Sequence, residues 1–192
     1  MKKIVSLLMV CAMLLTMAAC GAGNNENNDN GNVNVPASAL EVLENIWANY
    51  GDDEKFAVIG GNMESPVDGA PGNYDMAYAE GLTWNLLVPA EALASVDQAA
   101  TMIHMMNANT FTAGVVHLVE GTDAAAFAET MRNAVQGNQW MCGFPETLVI
   151  AVIGGEYVLV AFGVNDAMNP FQTHLATAYA DAEVLYNEAI AG

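Results

Sequence analysis

Hydrophobic positions along this chain alternate between helical and strand spacing. From Ser38 they recur at three and four residues, through Leu40, Leu43, Ile46 and Trp47. That stripe is one face of an amphipathic helix, with Gly51 as its stop. Phe56-Ala57-Val58-Ile59 fits a short buried strand ahead of Gly60-Gly61. Residues 60–75 are rich in Gly, Pro, Asn and Asp and predict a loop. Residues 82–88 fit either a strand or a helix. Pro89 opens a predicted helix running to about Asn107, with the stripe Leu93, Val96, Ala100 and Ile103. Residues 111–119 predict a strand that ends before Gly121. Thr122 or Asp123 caps the next helix, whose stripe is Phe127, Met131 and Val135 and whose stop is Gly137. Residues 147–153 and 156–162 are apolar strands joined at Gly154-Gly155, where glycine accepts the positive φ of a tight turn. A last helical region spans about 170–190, with a break near Asp181.

This order predicts an α+β fold, a small antiparallel or mixed sheet covered by helices. The 147–153/156–162 hairpin is almost wholly apolar and is expected at the centre of the sheet, buried on both faces. Every Trp, Tyr and Phe lies within 36–192, so that segment is read as a single globular domain. Residues 21–34 read GAGNNENNDNGNVN, too polar to offset their own ordering entropy. They are expected to form a flexible tether.

The first residues change the picture. Met1-Lys2-Lys3 is a short basic start, and residues 4–19 form an uncharged, mostly apolar run. The run is shorter than the roughly 20 residues a bilayer span needs. Ala18 and Ala19 then precede Cys20, completing a secretory signal pattern. Leu15-Thr16-Met17-Ala18-Ala19-Cys20 resembles the lipobox of bacterial lipoproteins, with Met17 where Leu is usual. The resemblance implies cleavage after residue 19 and joining of the Cys20 thiol to diacylglycerol. It divides the chain into a signal peptide (1–19), an acylated cysteine with tether (20–35) and the domain (36–192). The implied location is the extracytoplasmic face of a cell membrane. A multi-chain lipid at Cys20 is sufficient to hold the protein there.

Charge narrows the possible partners. The chain carries 4 Lys and Arg against 22 Asp and Glu. Cleavage would remove Lys2 and Lys3, leaving Lys55 and Arg132 against all 22 acids, a net charge of −20. So few cations exclude a basic nucleic-acid face. Such a body is repelled by anionic headgroups and is expected to stand off the membrane. The remaining partner classes are an envelope protein or a small ligand.

A second resemblance covers about a quarter of the chain. Residues 115–162 pass from an apolar strand to an amphipathic helix, then through Gly143-Phe144-Pro145 into a second apolar strand and the hairpin Gly155-Glu156-Tyr157-Val158. This resembles a family of uncharacterised lipoproteins from clostridia and related Gram-positive bacteria. The resemblance implies a small α+β lipoprotein domain of a Gram-positive cell and supplies no activity. The helix here departs from the family's Lys- and Glu-rich pattern.

Candidate chemistry is sparse. Cys142 is the one cysteine outside residues 1–20, so an internal disulfide within the domain is excluded. Its aromatic, apolar neighbours suit a small buried hydrophobe better than an activated thiol. His104, His117 and His174 are the only histidines, and no two stand at metal-ligand spacing. An enzyme or redox reading rests on Cys142 together with His104 or His174. Met102, Met105 and Met106 flank His104, a set that can hold Cu(I), although core packing on one helical face is the ordinary explanation and is preferred. His104, Asn107, Asn109 and Thr110 put polar groups at a predicted helix–strand junction, as a cap or a small-ligand site. Asp52-Asp53-Glu54 lacks the spacing of a calcium loop, and neither glycine pair is followed by the Lys-Ser/Thr of a phosphate loop. No nucleophile elbow is present. The sequence therefore favours a non-enzymatic binding or interaction module, with no metal or cofactor expected.

Overall fold

A computed structural model of the chain describes residues 35–106 and 110–191. Helix α1 (Ala39–Ala48) begins where the sequence predicts it. The Ser38 hydroxyl accepts from the Glu41 N–H, and the Glu41 carboxylate accepts from the Ala37 N–H. Two donors at the helix start are thereby satisfied. The spacing of Val42, Leu43, Ile46 and Trp47 buries one face of α1.

Eight strands form one antiparallel sheet: β1 (Val58–Gly61), β2 (Pro66–Asp68), β3 (Gly72–Tyr74), β4 (Val96–His104), β5 (Phe111–Leu118), β6 (Thr147–Ile153), β7 (Tyr157–Gly163) and β8 (Glu183–Ala189). Their order is β2-β1-β4-β5-β7-β6-β8, with β3 also paired to β4. The expected hairpin is β6–β7, inside the sheet, with β7 between β5 and β6 and β6 next to edge strand β8. Gly154 and Gly155 both take positive φ at its turn, as the glycine pair required. Period-two alternation sends Val149, Ala151 and Ile153 to one face and Leu148, Ile150 and Val152 to the other.

Each face carries a core. Helices α1 and α4 (Asn165–Ala178) cover one, burying Phe171 and Leu175 against Phe111 and Leu159. Helix α3 (Ala124–Gln136) and the short helix α2 (Leu82–Asn85) cover the other. Asp123, one of the two predicted caps, accepts from the Ala125 and Ala126 N–H groups at the start of α3. Because both faces are covered, the central strands have no polar side. The α+β class therefore takes the form of three layers, helices–sheet–helices.

Three segments differ from the sequence expectation. The predicted helix over 89–107 is a 3₁₀ turn (Ala90–Ser95) followed by strand β4. Ala100 and Met102 pack on the α1 side while Ala99 packs on the α3 side, so a strand buried on both faces imitates a helical stripe. Ladder pairing from Val96–Leu118 to Ile103–Thr112 decides the matter through residues distant in sequence. Met102 is accordingly buried on a strand, Met105 and Met106 are exposed beyond its end, and no common helical face unites them. The last helical region starts earlier and stops at Ala178, and residues 183–189 join β6 as edge strand β8. The predicted loop over 60–75 holds the end of β1 and the short strands β2 and β3.

Candidate functional site

A cleft of about 630 Å³ opens on the α2–α3 face, where β4 ends and β5 begins. Its first wall is α2 and the turn behind it, contributing Thr83, Trp84, Asn85 and Leu87. Its floor is Ile103, Thr112 and Phe162 from β4, β5 and β7, with Phe111, His104 and Thr110 at the strand ends. The opposite wall is the α3–β6 connection, through Asn138, Trp140 and Cys142, and Met106 adds to the rim.

Two local features build the first wall. In α2, Leu82 and Leu86 stand four residues apart and are both fully buried, so Trp84 between them points outward and is 82% exposed. Leu86 rests on Gly114 of β5, where a Cβ would meet its two Cδ atoms at 2.6 Å. The absent side chain lets α2 sit close to the sheet. The chain then turns through Leu87 at φ 61°, the only non-glycine residue with positive φ among the described residues. Such a conformation costs on the order of 1–3 kcal/mol and is found disproportionately at ligand clamps and active sites.

The lining is uncharged. The protein carries 22 Asp and Glu residues, and among the described residues none of them lines this cleft. Trp84, Phe111, Trp140 and Phe162 provide aromatic surface, and Asn85, Asn138 and the threonines provide amides and hydroxyls. Trp140 packs on Phe162 at 5.4 Å between centroids, and its buried indole N–H has no acceptor among the described residues. Beyond Trp84 and Asn85 lies a second hollow of about 560 Å³, bounded by Met63, Glu64, Tyr74, Tyr78 and Glu80. The two hollows share Trp84 and Asn85.

His104 is held as a neutral donor. Its Nδ1 accepts from the Met106 N–H at 2.9 Å, which leaves the ring proton on Nε2. The ring stacks on Phe56 at 4.9 Å and 9°. Burial lowers its pKa below the ordinary 6.5. Cys142 shares the cleft and is exposed rather than buried. Trp140 is the residue that packs inward here, while Met141 and Phe144 on either side are 84% and 67% exposed. No hydrogen bond joins Cys142 to His104, and the tautomer of His104 presents a donor rather than a base.

His174 lies elsewhere. It sits on α4 against Tyr50, with ring centroids 4.2 Å apart. Its Nε2 is 3.3 Å from a Glu54 carboxylate oxygen, an ion-pair distance without hydrogen-bond alignment. Burial, and then Glu54, raise the Tyr50 phenol well above its usual pKa. His117 on β5 faces away from Val116 and Leu118, which pack on the α3 side. It contacts Asp97 at 2.5 Å and Glu156 at 3.5 Å beside Tyr157. Among the described residues no group of three or more His, Cys, Asp and Glu side chains could hold a metal ion.

The structure thus brings three of the sequence candidates, His104, Thr110 and Cys142, into one cleft and leaves His174 out. Cys20, Asn107 and Asn109 lie outside the described residues. Sequence reasoning missed Trp84. Its signal was a tryptophan flanked by Thr83 and Asn85, with Leu82 and Leu86 marking the opposite, buried side. Among the described residues no helix is long and apolar enough to cross a membrane. The chain matches no protein-family model, no curated protein and no solved structure.

Proposed function

We propose that this protein is a lipid-anchored extracytoplasmic binding module that takes a small uncharged ligand in the Trp84–Trp140 cleft. The observation that carries the binding reading is a concave site of about 630 Å³ without a charged side chain, in a chain with 22 acids. That volume lies within the usual range for small-molecule sites. The anchor rests on the lipobox-like residues 15–20 and the basic, apolar stretch before them.

The fold is compatible with an anchor upstream of the domain. Val35 and Pro36 pack at the Gly154 turn, each about 3.2 Å from where a Cβ on Gly154 would lie. Strand β7 begins just beyond that turn and ends beside the cleft at Phe162 and Gly163. Seven residues of strand separate the two ends, about 20 Å. The chain therefore enters at the end of the sheet away from the cleft.

Incorporation of labelled palmitate into the full chain, expressed in a lipoprotein-processing bacterium, tests the anchor. Wild type is expected to take up label and remain with membranes, and Cys20→Ala to do neither. A variant that stays labelled and membrane-bound overturns the anchor. A second reading, thiol chemistry at Cys142, is favoured by its exposure in the cleft that His104 also lines. It requires alkylation of the native thiol that is markedly faster than for a free cysteine, and that slows in His104→Phe.

A further inference from the structure

We infer that the ligand of the cleft is a neutral oligosaccharide lying across the indole of Trp84. This rests on the reading of the cleft as a ligand site and goes on to its chemical class. Charge is the first criterion. An anionic ligand meets the repulsion of a strongly acidic protein, and no cationic side chain lines the cleft to offset it. A cationic ligand finds no carboxylate among the residues that line the cleft itself; Glu64 and Glu80 border only the second hollow.

Amphipathic character is the second criterion. A hydrocarbon-like ligand would strip water from Asn85, Asn138 and Thr112 without replacing its hydrogen bonds, which is unfavourable for each group left unpaired. A wholly polar ligand would leave the aromatic walls unused. A sugar ring has both an apolar C–H face that fits flat on an indole and a rim of hydroxyls that pair with amides and hydroxyls.

The form of Trp84 is the third. It is a large aromatic side chain, 82% exposed, on a four-residue helix followed by the strained Leu87. Backbone strain of this kind clusters at ligand clamps and active sites, and here it directly follows the helix that carries the exposed indole. Trp84 and Asn85 border both hollows. A ligand on this platform can extend into each, meeting in the second hollow the Glu64 and Glu80 carboxylates, which can accept from sugar hydroxyls, so a chain of several sugar rings fits better than one.

Isothermal calorimetry and tryptophan fluorescence on the full chain test this. The probes are maltotetraose, cellotetraose and chitotetraose, their monosaccharides, the anionic trigalacturonate, and the neutral apolar dye Nile red. At least one neutral tetraose is expected to bind and perturb tryptophan emission, at least tenfold more tightly than its monosaccharide. Trigalacturonate is expected not to bind. Trp84→Ala should weaken the tetraose by about tenfold or more, roughly the 1.4 kcal/mol upper range of an aromatic contact. Trp84→Phe should restore part of it, and Asn138→Ala should weaken it with the fold intact. Trp84 is solvent-exposed, so loss of folding does not confuse the result. If Nile red binds in a Trp84-dependent way and no tetraose does, the oligosaccharide falls and the binding cleft stands. If no probe binds in a Trp84-dependent way, both fall.

Discussion

Leu86 lies directly over Gly114, with both Cδ atoms 2.6 Å from the place a Cβ would take. That contact joins a helix of four residues to the middle of an eight-stranded sheet. It sets the height of the cleft wall that carries Trp84. Gly114→Ala is therefore expected to lift α2, at a cost of about 1–3 kcal/mol for overpacking. Urea unfolding should show a lower midpoint, and tryptophan emission should change in the native baseline. An unchanged midpoint and spectrum would mean that Leu86 yields without moving the wall.

His104 couples stability to pH. Burial holds its pKa below the ordinary 6.5, so the unfolded chain binds the extra proton first as pH falls. The contribution of neutral His104 is fully present above about 6.5 and is lost progressively below it, until the folded-state pKa is passed. Protonation also ends acceptance of the Met106 N–H by Nδ1. The His104→Phe variant retains an aromatic ring against Phe56 and does not titrate. Urea midpoints of wild type are expected to fall relative to this variant between pH 7 and 5. Parallel curves would show that the site does not hold His104 neutral.

Arg132 ties α3 to the edge strand β8. Its Nε and one terminal nitrogen reach the two Glu188 oxygens at 2.6 and 3.0 Å, and its guanidinium lies 5.3 Å from the Tyr186 ring centroid. The Arg132 hydrogen bond is the main cause holding Glu188 below the ordinary carboxylate pKa of 4.5. The contribution of Glu188 is therefore present above 4.5 and is lost as pH falls through its lower folded value. Arg132→Gln should lower Tm at pH 7, with the difference from wild type shrinking as pH drops below 4.5. The same difference at pH 7 and pH 3 would assign the effect to packing on Tyr186 instead.

Much of this architecture was legible along the chain. Helices α1 and α3 show complete apolar stripes with capping residues, and β6–β7 shows two apolar runs around a glycine pair. Each signal arises from neighbours in sequence, within one turn of helix or one hairpin. Residues 96–104 defeated that reading because burial on two faces erases the alternation that marks a strand. Residues 183–189 were read as helix because their assignment depends on pairing with β6, more than 30 residues earlier.

The candidate site divides in the same way. His104, Thr110 and Cys142 were visible by residue type, whereas Trp84 and Trp140 carried no marker of a shared role. The α+β class, the acidic surface and the helix caps followed from the sequence alone, since composition and short-range periodicity determine them. Which face of β4 meets which helix, the exposure of Cys142 and the placing of Trp84 and Trp140 on opposite walls of one cleft were decided only by tertiary structure. A cleft is made where separate segments fail to fill the space between them, and that shortfall depends on how the whole sheet positions its helices.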